Sequence, residues 1–414
     1  MPTIEILAPV GSYESLIAAI QAGANAVYFG VGKLNMRSRS AQSFSIEDLF
    51  KIVDICKSAN VRSYLTLNTI IYDNEMDEMK VLVDKAKEAG ITAVIASDLS
   101  VLEYCKQQNV TTHISTQCNI TNLQAVKFYS RYADVMVMAR ELSLQQVSEI
   151  VKGIEKENIK GPSGELVKIE IFVHGALCMA VSGKCYLSLD NMNYSANRGA
   201  CLQLCRRSYL VTDKEEGFEL EVDHEYIMSP KDLCTIGFID KIIDAGATVL
   251  KIEGRGRGPE YVKTVTQCYK EAVEAVIQNT YSQEKVAEWE NRLKAVFNRG
   301  FWDGYYLGRK MGEWSKRYGS QSTKKKLYIG IVTNYFSNLN VAEIKMETND
   351  LITGEEIIIT GPTTGVIEQT ADEIRVNLQI TDKTVKGEKC SIKTSELVRR
   401  GDKVYKLVQV EEKF

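Results

Sequence analysis

Eight short β-rich runs, each but one followed closely by an amphipathic stretch, constrain this chain more than any other feature of it. They are Ile4–Pro9, Ala26–Gly30, Arg62–Asn68, Ala93–Ser97, Thr112–Cys118, Asp134–Ala139, Lys168–Val173 and Thr248–Glu253. Between the first seven lie segments with helical periodicity, such as IEDLFKIVDICKSA and EMDEMKVLVDKAKEAG, several ending at Gly or Asn. The alternation marks an α/β protein. Units of about 20–35 residues and a count of eight fit a TIM-like (β/α)8 barrel better than an open doubly wound sheet. The seventh unit departs from the pattern, because about 75 residues separate its strand from the eighth. An insertion is therefore expected at the carboxyl end of a barrel strand, the face on which barrel enzymes carry their chemistry.

The periodicity divides the chain into three parts. Residues 1–307 read as the barrel domain, with the insertion at 175–235 and a helical extension at 260–300. Residues 308–326, GRKMGEWSKRYGSQSTKKK, are basic and polar and read as a linker. Residues 327–414 switch to a period of two, with seven short runs that predict a small all-β barrel.

Composition closes off several classes. With 414 residues, 44% apolar, and a formal charge of −3, neither disorder nor a fibrous repeat can be the main state. No window carries the ~18 uninterrupted apolar residues of a spanning helix, and the start MPTIEILAPVGS lacks a signal core, so a cytoplasmic protein without membrane attachment is expected. Near-neutral charge argues against a nucleic-acid-binding surface over the whole molecule but leaves room for a local patch.

Ten cysteines stand out, and five of them, Cys178, Cys185, Cys201, Cys205 and Cys234, fall in the insertion. A chain this long needs no disulfide staples. Only the Cys201/Cys205 pair approaches a zinc knuckle. A 4Fe–4S cluster tolerates wide spacing and needs four thiolates converging from loops. Gly175, Gly183 and Gly199 sit near three of these cysteines and would let the backbone approach a bulky inorganic group. An iron–sulfur cluster, zinc and inert buried thiols all remain open on residue types alone.

The run Glu170, Phe172, Gly175-Ala176-Leu177-Cys178, Gly183, Cys185, Leu187-Ser188 closely resembles the signature of the collagenase-like peptidases, peptidase family U32. Asn197-Arg198-Gly199, Cys201, Gln203, Cys205-Arg206, Lys231-Asp232-Leu233 and Leu250-Lys251-Ile252-Glu253-Gly254-Arg255 resemble further landmarks of that family. The resemblance implies a change of function class. Bacterial members are understood as oxygen-independent hydroxylases with 4Fe–4S clusters, acting on the wobble uridine of tRNA with prephenate, on ribosomal RNA, or on ubiquinone precursors. The appended β-domain makes this chain most similar to the tRNA branch, which forms 5-hydroxyuridine. The resemblance also points to Cys178, Cys185 and Cys201 as ligands, with Cys234 favoured over Cys205 as the fourth.

Strand ends supply the remaining candidates, since they face the catalytic mouth. His174, with Glu170 in the same strand, Asn68, Gln117 and Glu253 are the catalytic candidates, His174 as a proton donor. Arg37, Arg39, Arg140, Arg198, Arg206, Lys251 and Arg255 are the candidates for binding RNA or a dicarboxylate such as prephenate, because Arg offers paired donors to a carboxylate. Tyr194, Tyr209, Tyr305 and Tyr306 could stack unpaired bases, and His113 and His224 read as structural and exposed respectively.

Three competing readings remain. An rRNA cytidine hydroxylase of the same family differs only in substrate. A peptidase lacks support in the residues, with no H-E-x-x-H, no G-x-S-x-G and three dispersed histidines. A non-catalytic RNA-binding module leaves the cysteine insertion unused.

Overall fold

The computed structural model describes residues 3–38, 44–207, 209, 211–212, 214–215, 219–220, 228–308, 313–315 and 319–410. Its centre is a closed parallel barrel of eight strands: β1 Glu5–Pro9, β2 Ala26–Gly30, β3 Arg62–Leu67, β4 Ala93–Ala96, β5 Thr112–Ile114, β6 Val135–Val137, β7 Lys168–Ala176 and β8 Val249–Ile252. Each strand pairs with the next in parallel, and β8 closes the ring between β7 and β1, with Val249 opposite both Glu170 and Glu5. β1 and β2 are buried at every position, as expected of strands covered on both faces.

The helices form where caps and apolar stripes coincide. Ser45 and Asp48 make a reciprocal capping box at the start of the helix Ile46–Ser58, which buries Leu49, Ile52, Val53 and Cys56 against the barrel. Ser143 and Gln146 do the same for the helix Leu144–Lys156. Inside the barrel, Leu7, Tyr28, Tyr64, Ile95, Val135 and Val249 make a separate core layer. The same interior holds a charged pair, Lys251 and Glu170, at 2.7 Å. Among the described residues, no helix is long and apolar enough to cross a membrane.

β5 ends at Ile114, short of the Cys118 expected from sequence, because Thr116–Cys118 closes into a 3-10 turn. β7 runs to Ala176, three residues past the expected Val173. The extra length has a partner, since Asp232–Cys234 returns from the insertion and pairs antiparallel with His174–Ala176. That returning strand also pairs with Phe301–Trp302, joining the insertion to the segment after the helical extension.

The C-terminal β-domain starts at Lys324, inside the stretch read as linker, with the strand Lys324–Phe336. Eight antiparallel strands form one sheet, and Asp350–Ile352 with Lys383–Val385 form a small ribbon. The outermost strands of that sheet, Gly365–Thr370 and Gln379–Thr381, do not pair with each other, so hydrogen bonding does not close it into a ring. One of these edges is covered instead by the barrel's first helix, Tyr13–Gln21. Gln21 exchanges hydrogen bonds with Thr364 O and Val366 N, and Ala18 packs against Ile358 and Val366. Lys263 donates to Val366 O at 2.7 Å and Lys326 pairs with Glu260 at 2.8 Å. The described part of the linker is also anchored, by a bridge between Pro230 and Trp314.

Candidate functional site

A cavity of about 330 Å3 opens at the carboxyl ends of the barrel strands, roofed by the insertion. Cys178, Cys185, Cys201 and Cys205 line it together. Cys234 does not; its thiol lies 4.0 Å from the Tyr269 hydroxyl, and burial pushes its pKa up to about 12. Cys205, and not the Cys234 favoured by the resemblance, is thus the fourth cysteine that lines the cavity. Burial pushes the Cys205 thiol up to about 11.

The roof is held by contacts that span long sequence separations. Arg198 ion-pairs with Glu75, lies 4.1 Å over the Tyr72 ring and donates to Ile70 O. Arg206 donates to Pro230 O and Leu177 O, both at 2.6 Å, and to Ser229 Oγ at 3.0 Å. Both arginines thus clamp the insertion; Arg206 also lines the cavity, Arg198 does not. Gly175 crosses so near to β8 that a β-carbon would collide with Glu253 O, and its φ of +103° favours glycine.

The rim of the cavity is strongly cationic. Arg37, Arg140, Arg206, Lys251, Arg255, Arg257 and Arg299 line it, against the single carboxylate of Glu253. Arg37 grips Glu253 at 2.5 Å. Burial alone would raise the Glu253 pKa, but Arg37, Arg140 and Arg255 outweigh it and hold the carboxyl at about 2. Arg255 donates to Thr66 Oγ1 at 2.7 Å and Asn35 Oδ1 at 3.1 Å, leaving its buried Nε without a partner among the described residues. Arg140 lies 4.0 Å over the Phe172 ring and donates to Ala176 O, and its Nε is likewise unpaired. The excess of cations over carboxylates in the lining suits the cavity to an anionic ligand. A neutral network completes the wall: Asn68 donates to Ser115 Oγ at 3.1 Å and Gln117 Oε1 at 3.3 Å, and accepts from the Met36 amide.

Other candidates fall elsewhere. His174 is 1% exposed, packs among Tyr261, Tyr269 and Phe301, and does not line the cavity. Burial pushes its pKa down to about 3, so it is neutral near pH 7 and unsuited to donate a proton there. Glu170 is fully buried in its pair with Lys251, below the cavity wall that Lys251 helps to form. Tyr306 is buried and donates to Phe172 O, and Tyr209 donates to Leu204 O, so both have structural roles. Arg39, His224 and Arg309 lie outside the described residues. Tyr28, Thr66, Ser115 and Arg299 line the cavity without having been expected there. Tyr28 and Thr66 sit one or two residues before their strand ends, a signal that attention to the terminal residue alone passes over.

Among the described residues, no group of three His, Cys, Asp or Glu side chains is arranged for a single metal ion. Four cysteines line the cavity together, and cysteine is the donor type that holds an iron–sulfur cluster. The site is the mouth of a (β/α)8 barrel lined by cysteines and arginines. This chain belongs to peptidase family U32, whose model matches residues 11–316. It is 57% identical to a protein named collagenase from Porphyromonas gingivalis, over 99% of both chains. It is 32% identical to tRNA hydroxylation protein P1 of Bacillus subtilis, over 86% of this chain and 83% of that one. It is also 31% identical to the 23S rRNA 5-hydroxycytidine C2501 synthase of Escherichia coli, over 75% of this chain and 46% of that one.

Proposed function

We propose that this protein hydroxylates a pyrimidine of RNA at C5, with the wobble uridine of tRNA as substrate and prephenate as co-substrate. The observation that carries this reading is the joint lining of one cavity by four thiols and seven cations. Cys178, Cys185, Cys201 and Cys205 would hold a 4Fe–4S cluster, which supplies one-electron chemistry when bound. Arg255, whose guanidinium lines the cavity, would bind a carboxylate of prephenate. Glu253, held ionised by Arg37, fixes the position of that guanidinium and keeps the cavity from being purely cationic. Asn68 and Gln117 offer amide donors and acceptors for the edge of an extruded base.

The name of the Porphyromonas relative favours a second reading, peptide hydrolysis. The cavity gives it little to work with: no histidine lines it among the described residues. Nucleoside mass spectrometry of RNA from a deletion strain tests the proposal. Loss of 5-hydroxyuridine derivatives from tRNA, restored by the wild-type gene, is expected. Loss of 5-hydroxycytidine from 23S rRNA instead would transfer the activity to that substrate, and unchanged tRNA and rRNA would overturn it.

A further inference from the structure

A second cavity, of about 340 Å3, adjoins the first and shares Thr116, Arg140 and most of the segment 177–182 with it. Its other lining residues are of a different kind: Trp302, Tyr305 and Trp314 supply three aromatic rings, with Asn119 and Glu141 beside them. Trp302 and Tyr305 meet edge to face at 5.3 Å and 77°. Trp314 is fixed by its backbone neighbours, because the Lys231 amide donates to Glu313 O at 2.9 Å and the Ser315 amide to Ser229 O at 2.7 Å. Trp302 is 6% exposed and its Nε1 is a buried donor with no acceptor among the described residues. The segment between the cavities keeps Met179 and Val181 nearly half exposed, an apolar surface at the cavity edge.

We propose that this second cavity is a stacking site for the nucleobase next to the one that enters the first cavity, with Arg140 taking the phosphate that links the two. The inference rests on the RNA reading above and extends it to a neighbouring nucleotide. A single strand with one base in the first cavity must lead its next nucleotide past the shared wall, and Arg140 lines both sides of that wall. Aromatic rings bind a base by its face whatever its identity. Glu141 and Asn119 add hydrogen-bonding groups that can choose among base edges.

The test uses the full-length protein and five-nucleotide RNAs with a central uridine and 2-aminopurine immediately 5′ or 3′ of it. Quenching of one of the two reporters on binding is expected. Trp314→Ala and Tyr305→Ala should abolish that quenching and weaken binding about ten-fold, the scale of one base–aromatic stack. Trp314→Phe should retain both, which separates stacking from loss of fold. Unchanged quenching and affinity in the two alanine variants would overturn the second site and leave the RNA reading standing. Failure of the wild-type protein to bind any of the oligonucleotides would overturn both.

Discussion

A β-carbon on Gly199 would collide with the Asn35 carbonyl oxygen, and the residue holds φ at +74°. The contact presses the cysteine insertion onto the loop after β2, just before Cys201. Gly199→Ala should therefore destabilise the protein by more than about 1 kcal/mol, from the backbone strain and the clash together. Thermal unfolding measures it, and an unchanged midpoint would contradict the packing described. Single residues were legible where the strand-end rule applied: Asn68, Gln117, Arg140 and Glu253 all reach the cavity. His174 misled because β7 continues past it, paired with a strand that returns from some 60 residues later in the chain. Arg198 pairs with Glu75, 123 positions away in the chain, a contact that no local pattern announces.

At the scale of elements, the eight barrel strands were readable to within a few residues, because parallel strands buried on both faces leave continuous apolar runs. The β-domain was less so. The run EIRVNLQI, one of the seven short runs expected from the period of two, is a hairpin: Ile374–Val376 pairs with Gln379–Thr381 around Asn377 and Leu378, at φ +50° and +67°. Two positive φ values in a two-residue loop define a type I′ turn, which favours Asn-Gly. Asn377 fits the first position, but Leu378, 85% exposed, stands where Gly is favoured, so the turn leaves only half its signal in the sequence. Leu378→Gly should raise stability by about 0.5–1 kcal/mol, by removing left-handed strain from a residue that packs against little. A lower unfolding midpoint for this variant would contradict the turn.

The molecule as a whole carries its ionisable groups in a way that sets its response to acid. His113 and His174 are both buried and pushed down to about 3, against an ordinary value of 6.5. The unfolded chain therefore binds more protons between those values, and stability is lost as pH falls through that window. The slope is about 1.4 kcal/mol per pH unit for each histidine. Glu253, depressed from 4.5 to about 2, adds loss in the same direction below pH 4.5. His113→Phe keeps the ring beside Tyr64 and removes one titration, so its stability should fall less steeply as acid is added from about pH 6 to about pH 4. An equal slope in variant and wild type would mean that His113 is not buried neutral.

The central claim is that the barrel mouth is a thiol-built iron–sulfur site. Iron and acid-labile sulfide analysis of anaerobically purified protein tests it most directly. About four of each per chain are expected in wild type and in Cys234→Ser, with loss in Cys205→Ser. A protein that binds one zinc, or whose iron survives in Cys205→Ser and vanishes in Cys234→Ser, would contradict the site drawn from these residues.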